Sequence, residues 1–524
     1  MASDFKAVTI AADPASAPVT FGFARIKISL GALLSSTFSF PMMLGVLLIA
    51  GVFFTGREFV VDPDCWWHTM TGEIILSTHH WPTTDPYSFS VAGQPWLSYE
   101  WGGDIVLATA ARIGGLRGLV AISILMAAAV MIALYGLATL SSGNSKAAFI
   151  ACSILIVFAI PSFNVRPQML GYLYLILTLI ALERFRQGKY RALWFLPLLF
   201  LLWINTHGSW IIGLGVIATY WFSGLFKFRA GAIQALPWKP AERRQISFVF
   251  LLCLCVLPIT PYGTRLSTYP FDVASSLPIS MASILEWQPM PFNLLVGKLF
   301  LVLLVVFFLV QVTVGFSWRL EQLGLFLFGA AMATLHVRFV LLCVPFFAPV
   351  LATILARWVP SYDREKDHWA INAAMIAIAF VGMVHYFPSR ADLEKKLAQR
   401  SPVGAVEYLK QHSVPEPMFN AYSFGGYLIW SRWPEHKVFI DGRSELYEHG
   451  GVLNDYMQVL LVRPPALAIL QFYGIRSCLL DREESFATVL SALPDWEQVY
   501  SDNRSVLFVR RSQEKLPKNP LVKE

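Results

Sequence analysis

Charged side chains are scarce in this sequence of 524 residues, at 14% of the total against about 25% in an average soluble domain. Hydrophobic residues account for 56%. Cysteine is rare as well, with 6 residues, none spaced like a zinc site or a disulfide framework. GxSxG, HExxH and Walker phosphate-binding motifs do not occur. These absences exclude the hydrolase and nucleotidase classes that the motifs mark, and the composition indicates a membrane protein.

The charged residues lie unevenly along the chain. Residues 1–388 hold 41 of them, whereas residues 389–524 hold 34, with equal numbers of acids and bases. The second density is ordinary for a soluble domain. We therefore expect three parts: a cytoplasmic N-terminal segment (1–37), a transmembrane domain (38–388) with a large first outer loop (56–115), and a soluble extracytoplasmic domain (389–524).

Long apolar stretches recur through the transmembrane part. A spanning helix needs roughly 20 mostly apolar residues, and about eleven stretches approach that length and composition. They cover residues 38–54, 116–140, 147–163, 168–182, 192–204, 210–226, 246–261, 299–316, 320–335, 339–356 and 368–387. The predicted fold class is a polytopic α-helical membrane protein with a C-terminal α/β domain. An odd number of spans puts the two termini on opposite sides.

Basic residues set the direction of insertion, because cytoplasmic loops carry an excess of Lys and Arg. With the N-terminus inside, the inner loops hold most of these residues, including Arg184, Arg186, Lys189, Arg191, Lys227, Arg229, Lys239, Arg243 and Arg244. The N-terminus is therefore expected in the cytoplasm, with the first loop and the tail outside. The net charge of +7 is explained by these loops and needs no nucleic-acid partner.

The tail has the pattern of a mixed α/β domain. Residues 403–412 have helical apolar spacing, and residues 466–472 are also expected to form a helix. GGYLIW (425–430), KVFIDG (437–442) and SVLFVRR (505–511) are predicted as strands. The expected fold is a small sheet packed with helices, and Asp441, Arg443 and Glu445 are expected to form a structural turn network.

Ionisable and amide side chains gather near helix ends on the predicted outer face. Ionisable groups at membrane depth are costly, so they indicate a functional site. Asp64 stands out because aromatic residues follow it and His68 comes one helical turn later. Tryptophans such as Trp66 and Trp67 are expected in an interfacial aromatic belt. The outer-face candidates are Asp62, Asp64, His68, Glu100, Arg166, Asn205, His207, Tyr262, Glu286, His336 and Arg338.

These residue types suit one kind of chemistry. A carboxylate can bind a divalent cation or act as a base toward an acceptor. An arginine matches a phosphate or pyrophosphate group with its planar fork. Carboxylates, arginines and aromatic side chains at a lipid–water boundary are the groups that transfer of a lipid-linked sugar requires.

The motifs resemble those of GT-C glycosyltransferases, and the closest likeness is to oligosaccharyltransferase catalytic subunits. The longest are DPDCWWHTMTGEII (62–75) and, in the tail, YSFGGYLIWSRWPEHKVFIDGR (422–443). Shorter landmarks between them are NVRPQ, WINTHGSW, PYG, ILEW and HVRF. The resemblance spans most of the chain and implies a GT-C fold with a lipid-linked sugar donor.

The resemblance also implies roles for individual residues. Asp64 matches the catalytic first-loop carboxylate, which binds metal or activates the acceptor, with Asp62 as its weaker stand-in. Glu286 is similar in placement to a late-loop glutamate, and Arg338 to an arginine that contacts the lipid phosphate. SFNVRPQ, with Arg166, replaces the acidic motif of the second outer loop. Whether Asp64 and Glu286 hold a divalent cation, Mg²⁺ or Mn²⁺, is therefore open.

A second departure lies in the tail, where SFGG replaces a WWDYG-type motif that reads the acceptor sequon, so N-glycosylation of sequons is not expected. The leading hypothesis is a bacterial inner-membrane glycosyltransferase that moves a sugar from a polyprenyl-phosphate donor to an extracytoplasmic glycan, lipid-linked glycan or protein. The alternative is a non-catalytic transport or assembly component for envelope polysaccharide. Either could belong to an envelope-biogenesis complex in the lipid bilayer.

The residues are assigned to three groups under the leading hypothesis. The catalytic group is Asp64, Asp62 and His68. The donor phosphate group is Arg338, Arg166 and His336. The acceptor or pocket group is Glu100, Asn205, His207 and Tyr262.

Overall fold

The computed structural model describes residues 30–56, 62–160, 163–276 and 278–511. Most of the predicted cytoplasmic segment 1–37, residues 57–61 of the predicted first loop and the tail from residue 512 lie outside this range. The described chain is mostly helical and includes a small C-terminal sheet.

The first fifteen helices and three short strands belong to the apolar part of the chain. The helices are α1 (Leu30–Thr37), α2 (Phe40–Gly56), α3 (Asp64–Thr78), α4 (Trp101–Ser142), α5 (Ser145–Ala159), α6 (Gln168–Arg186), α7 (Leu196–Ile204), α8 (Trp210–Ser223), α9 (Pro240–Cys255), α10 (Arg265–Ser276), α11 (Pro278–Ser283), α12 (Leu295–Thr313), α13 (Leu320–Leu335), α14 (Val340–Leu355) and α15 (Trp369–His385). The strands are β1 (Phe228–Ala230), β2 (Ile233–Ala235) and β3 (Trp318–Arg319). Short 3₁₀ segments cover Tyr190–Phe195, Leu285–Trp287, Val337–Phe339 and Arg364–Lys366.

Several of these helices are long and apolar enough to cross a membrane. Among the described residues, four pass on length and composition: α4, α6, α12 and the continuous helix Val337–Leu355. Helix α15 and the helix after it, bent by 63°, would together make a fifth. Each of the eleven predicted segments contains helix, but several are shorter than a span. The protein is thus a multi-pass membrane protein, and the count of eleven stays a prediction.

The predicted first loop is itself largely helical. It contains α3 and the beginning of α4, which kinks at Gly115, where φ is 56° and ψ is −136°. This positive φ suits glycine, because a side chain is strained there. The kink separates residues 101–114 from the apolar part of α4, so the early part of this helix can pack along α3.

The tail combines seven helices with four strands. In chain order these are α16 (Arg390–Arg400), α17 (Val403–Gln411), β4 (Met418–Asn420), α18 (Tyr422–Arg432), α19 (Ser444–His449), α20 (Val452–Leu460), α21 (Ala466–Phe472), β5 (Ser477–Asp481), α22 (Ser485–Ala492), β6 (Trp496–Ser501) and β7 (Ser505–Arg510). The sheet order is β4-β5-β7-β6, with β4 parallel to β5 and the other pairs antiparallel. The helices predicted at 403–412 and 466–472 and the strand predicted at 505–511 agree with this structure.

Two other predicted strands were wrong. GGYLIW lies inside helix α18, and KVFIDG bends at Phe439 and Gly442 and does not join the tail sheet. KVFIDG pairs with the first loop instead: the Val438 amide donates to the Tyr87 carbonyl at 3.1 Å, and the Phe89 amide donates to the Val438 carbonyl at 3.1 Å. The backbone of this segment therefore forms hydrogen bonds with the first loop, and not with a strand of the tail.

The glycines of helix α18 explain the first of these errors. A Cβ on Gly425 would overlap the Ile440 carbonyl, and one on Gly426 would overlap the Pro63 carbonyl. These residues thus allow α18 to approach two backbone segments closely, and they do not mark a turn before a strand. The packing with Pro63 also joins the tail to the first loop.

The aromatic-belt prediction was also wrong for Trp66 and Trp67. Trp66 and Trp67 are 1% and 5% exposed. Trp66 packs against Tyr427 and Trp430 of helix α18, with ring centroids 5.5 and 4.8 Å apart. These rings form the interface between the first loop and the tail, so they are not available to lipid head groups.

Candidate functional site

A cavity of about 220 Å³ lies where the first loop, the start of α6, the segment around the 3₁₀ turn Leu285–Trp287 and the tail meet. Seven of the eleven residues selected from the sequence line it: Asp64, His68, Glu100, Arg166, His207, Glu286 and Arg338. They come from segments more than 250 positions apart. The structure therefore brings most of the candidate residues together.

Arg166 is the centre of the acidic side of this cavity. Its Nε lies 2.6 Å from Asp62 Oδ2, its Nη2 lies 2.9 Å from Asp64 Oδ2, and its Nη1 lies 3.5 Å from Glu286 Oε1. Burial alone would lower the pKa of Arg166, but the three carboxylates raise it well above its ordinary value. The guanidinium is thus a permanent cation surrounded by three acids.

Asp64 is held in place from several directions. It is the first residue of α3, and its amide donates to Asp62 Oδ1 at 2.9 Å. Burial raises the pKa of Asp64, and the positive charge of Arg166 opposes that shift. The backbone of Gly442 lies against the other carboxylate oxygen, where a Cβ would overlap it. The tail therefore limits the positions that this carboxylate can take.

A second set of groups forms a chain from His68 to His207. His68 Nδ1 lies 2.6 Å from Asp104 Oδ1, and His68 Nε2 lies 3.4 Å from Glu100 Oε2. The other oxygen of Glu100 lies 3.2 Å from His207 Nε2. Ser98 Oγ completes one end by donating to Asp104 Oδ2 at 2.5 Å.

The pKa values along this chain are displaced in opposite directions. Burial raises the pKa of Glu100 to about 8, with His68 opposing the shift. Burial would lower the pKa of His68, but Asp104 and Glu100 more than reverse this effect. Burial and the nearby Arg338 lower the pKa of His207 to about 3. At neutral pH the chain therefore holds a protonated Glu100 carboxyl beside a neutral His207 imidazole.

Arg338 lines the basic side of the cavity. Its Cζ lies 4.2 Å from the centroid of the Trp287 ring, within cation–π distance. Within the described parts of the chain, no carboxylate forms an ion pair with it. His336 supports this arrangement from outside the cavity, because its Nδ1 lies 2.6 Å from the Trp287 carbonyl oxygen.

The other predicted pocket residues hold the surrounding loops. Asn205 Oδ1 accepts a hydrogen bond from Trp101 Nε1 at 3.0 Å. The Tyr262 hydroxyl donates to the Pro82 carbonyl at 2.9 Å. Neither side chain lines the cavity, and both fix the first loop against neighbouring loops.

Sequence reasoning missed the residues that the tail and the first loop add. Tyr422 and Glu445 line the cavity from the tail, and Tyr99 lines it from the first loop. Tyr99 stacks on Tyr269, with ring centroids 4.3 Å apart. Glu445 also borders a second cavity of about 490 Å³ beyond these rings. A buried polar DGR sequence at 441–443 was the available signal, but it was interpreted as a local turn.

Arg443 joins the tail to the first loop at the wall of the cavity. It pairs with Asp441 (Nη2 to Oδ2, 2.6 Å) and with Asp85 of the first loop (Nη1 to Oδ1, 2.7 Å). The Tyr447 hydroxyl donates to the same Asp441 oxygen at 2.6 Å. The expected turn network is therefore also a contact between two parts of the chain.

The residues expected to hold Mg²⁺ or Mn²⁺ do not fit such an ion. Among the described residues, no three His, Cys, Asp or Glu side chains are grouped as metal ligands. Asp64 and Glu286 both direct an oxygen at Arg166. A divalent cation needs several oxygen ligands turned toward it, and a positive charge held between those oxygens opposes its binding.

Comparison with known proteins gives structural matches only. No family model and no curated protein match the sequence. The Archaeoglobus fulgidus oligosaccharyltransferase in its apo form is 10% identical with a TM-score of 0.48, over 83% of this chain and 69% of that one. ArnT from Cupriavidus metallidurans matches 89% of this chain both with undecaprenyl phosphate bound (12% identity, TM-score 0.44, 98% of that chain) and in the apo state (14%, 0.46, 97%). The chain is distantly similar to GT-C glycosyltransferases. Identities this low concern the course of the backbone and transfer neither an activity nor a site residue.

Proposed function

We propose that the protein is a membrane glycosyltransferase that moves a sugar from a polyprenyl-phosphate-linked donor to an acceptor outside the cytoplasm. The observation that carries the proposal is that the carboxylate of Asp64 and the guanidinium of Arg338 line one cavity. Transfer from a lipid phosphate needs both kinds of group. One receives the proton of the acceptor, and the other stabilises the charge of the departing phosphate.

Arg338 is the residue that we assign to the donor phosphate. Arg166 is surrounded by carboxylates, whereas no described carboxylate is paired with Arg338. Trp287 stacks on its guanidinium, and His336 holds Trp287 through its carbonyl. A cation fixed in this way can receive an anion without first breaking an ion pair, so the phosphate is expected beside Arg338.

Asp64 is the residue that we assign to the acceptor. An acceptor hydroxyl attacks the anomeric carbon of the donor sugar, and Asp64 takes the hydroxyl proton. The new carbon–oxygen bond forms while the bond between the anomeric carbon and the phosphate oxygen breaks. The polyprenyl phosphate leaves with the electron pair, and Arg338 neutralises its added charge. Arg166 and Gly442 keep the base in position on either side.

The chain from His68 to His207 supports the same site. His68, Glu100 and His207 of this chain line the cavity, and the two oxygens of Glu100 link the two imidazoles. Because Glu100 holds a proton at neutral pH and His207 is neutral, these groups can form hydrogen bonds to a sugar without adding charge. We assign them to orienting the sugar or the acceptor, with His68 assisting Asp64.

The proposed setting is the inner membrane of a bacterium, with the N-terminus in the cytoplasm and the cavity and tail outside. The asymmetry of basic residues among the loops supports this orientation. The acceptor class is a glycan, a lipid-linked glycan or a protein. An envelope-biogenesis complex is a further proposed partner, and it is not needed to supply the base or the phosphate cation, because both belong to this chain.

The test separates donor binding from transfer. Purified protein is offered undecaprenyl phosphate and examined by native mass spectrometry, and cells that carry only the variant are examined for envelope glycans. We expect Arg338→Gln to lose lipid binding, and Asp64→Asn to bind the lipid but abolish the glycan product. The matched control is Arg112→Gln, which removes an exposed arginine paired with Glu73. A normal glycan profile in Asp64→Asn cells would exclude Asp64 as the base and favour a non-catalytic assembly component.

A further inference from the structure

The acidic side of the cavity contains more carboxylates than the proposed reaction needs. Asp62, Asp64 and Glu286 come from two distant segments, and each directs one oxygen to a different nitrogen of Arg166. Three carboxylates around one position repel one another unless a cation lies between them. Here a side chain of the same protein supplies that cation.

The guanidinium is held as firmly as the acids around it. Arg166 lies directly before Pro167 at the start of α6, and its amide donates to the Asn164 carbonyl at 2.8 Å. Its side chain is 19% exposed. Asp62 uses one oxygen for this guanidinium and the other for the amide of Asp64. The arginine therefore orients the carboxylate of Asp64 both directly and through Asp62.

A guanidinium and a divalent ion cannot share these oxygens. Arginine keeps its charge at every relevant pH and presents planar donors, whereas Mg²⁺ or Mn²⁺ requires the same lone pairs in its own coordination shell. We propose that Arg166 is the resident cation of this site, which orients Asp64 in the place of a divalent metal ion, so that the native protein takes up no metal at Asp62, Asp64 and Glu286. The catalytic meaning of this inference rests on the proposed function, but the cation-site claim itself does not.

The role of Arg166 differs from the one that the sequence predicted. All three nitrogens of Arg166 are directed at carboxylates, so it is a positioning residue for Asp64 and not a ligand for the donor phosphate. Removing it should leave three acids around an empty position. Once the arginine no longer separates them, these acids can turn toward a common centre, and their oxygens are donors that Mn²⁺ prefers, so a metal site should appear where the arginine was.

The experiment uses the full-length protein in detergent with Mn²⁺ alone as the probe. Mn²⁺ binding is measured by electron paramagnetic resonance, and thermal unfolding is followed in the same titration. For the wild type we expect no binding at this site and no shift of Tm. For Arg166→Ala we expect a lower Tm that Mn²⁺ partly restores, with an affinity at least roughly tenfold above wild type, the size of change typical around metal sites.

Two controls locate the effect. Arg166→Ala combined with Asp64→Asn should lose the gained Mn²⁺ response, because one of the three acids is gone. Arg112→Ala, which removes an exposed arginine and leaves Arg166 in place, should behave like the wild type. If Arg166→Ala does not fold, Arg166→Lys takes its place. This variant keeps one positive charge and should fold without a Mn²⁺ response. The measurement on the wild type then decides whether the native site holds a metal ion.

Two results would overturn the inference. One is Mn²⁺ binding by the wild type that Asp64→Asn abolishes, because the native site would then hold a metal. The other is a folded Arg166→Ala protein that gains no Mn²⁺ binding. Neither measurement contains a sugar donor or an acceptor. A negative Mn²⁺ result therefore does not argue against the transferase proposal, and the Mn²⁺ experiment can still be interpreted if the transferase proposal is wrong.

Discussion

The buried ion pairs of Arg443 allow the sharpest prediction of stability. The side chains of Arg443, Asp85 and Asp441 are all 0% exposed. Arg443 also lies against the ring of Trp96, with Cζ 4.6 Å from its centroid. Arg443→Ala removes the only described ion-pair partner of both acids and the contact with the Trp96 ring. The two carboxylates then remain buried without a compensating charge.

The expected cost follows from that burial. Breaking a buried ion pair by removing one partner typically destabilises a protein by about 3–5 kcal/mol, because it leaves an uncompensated charge. The matched control is Arg112→Ala. The pair between Arg112 and Glu73 is 47% and 42% exposed, and exposed pairs contribute roughly 0–1 kcal/mol. The free energy of unfolding should therefore separate the two variants clearly.

The measurement is equilibrium unfolding in mixed micelles with increasing denaturing detergent, followed by tryptophan fluorescence. Trp96 and the other buried rings between the first loop and the tail report on this interface. We also expect Arg443→Ala with Asp85→Asn to cost less than the sum of the single changes, since the second change removes one stranded charge. A loss for Arg443→Ala no larger than that for Arg112→Ala would refute the idea that this network holds the tail on the first loop.

Two further predictions concern the site. Gly442→Ala should leave the fold intact but displace the Asp64 carboxylate, because the new Cβ overlaps its oxygen. A misplacement of this kind lowers the transfer rate by about 10²-fold, and an unchanged rate with normal folding would contradict the assigned position of Asp64. Glu100→Gln tests whether burial raises the pKa of Glu100 in the folded protein from its ordinary value of 4.5 to about 8. The folded carboxyl keeps its proton through that interval while the unfolded one has lost it, so wild-type stability should fall as pH rises, by up to about 1.4 kcal/mol per pH unit. Unfolding measured from pH 5 to pH 8 should show this slope for the wild type and a flatter profile for the variant, whereas parallel profiles would show that Glu100 is ionised throughout.

The candidate site was predictable where its residues belong to local motifs. Asp64 and His68 lie one helical turn apart, and Arg166 and Arg338 each lie beside the end of an apolar stretch. Their predicted grouping on one membrane face came from the expected order of the spans. The contribution of Glu445 and Tyr422 could not be predicted in this way, because nothing in the local pattern shows that the tail covers the first loop.

The secondary-structure predictions also succeeded where the pattern is local and failed where distant contacts decide. Apolar spacing identified helices α17 and α21, since a helix that buries one face repeats its apolar residues within a few positions. GGYLIW failed because its two glycines serve contacts with Pro63 and Ile440. The spacing of apolar residues carries no information about such contacts, so the β-forming residues of this segment led to the prediction of a strand.

The sequence by itself determined the membrane class, the helical segments and the residue types available for chemistry, because composition and periodicity are local properties. Only the tertiary structure decided how those residues are paired. Arg166 became the partner of three carboxylates, Trp66 became part of an interface, and Arg443 reached an acid 358 positions away. Contacts over such distances depend on how the spans and the tail pack together, and burial in that packing is what makes each charge need its partner.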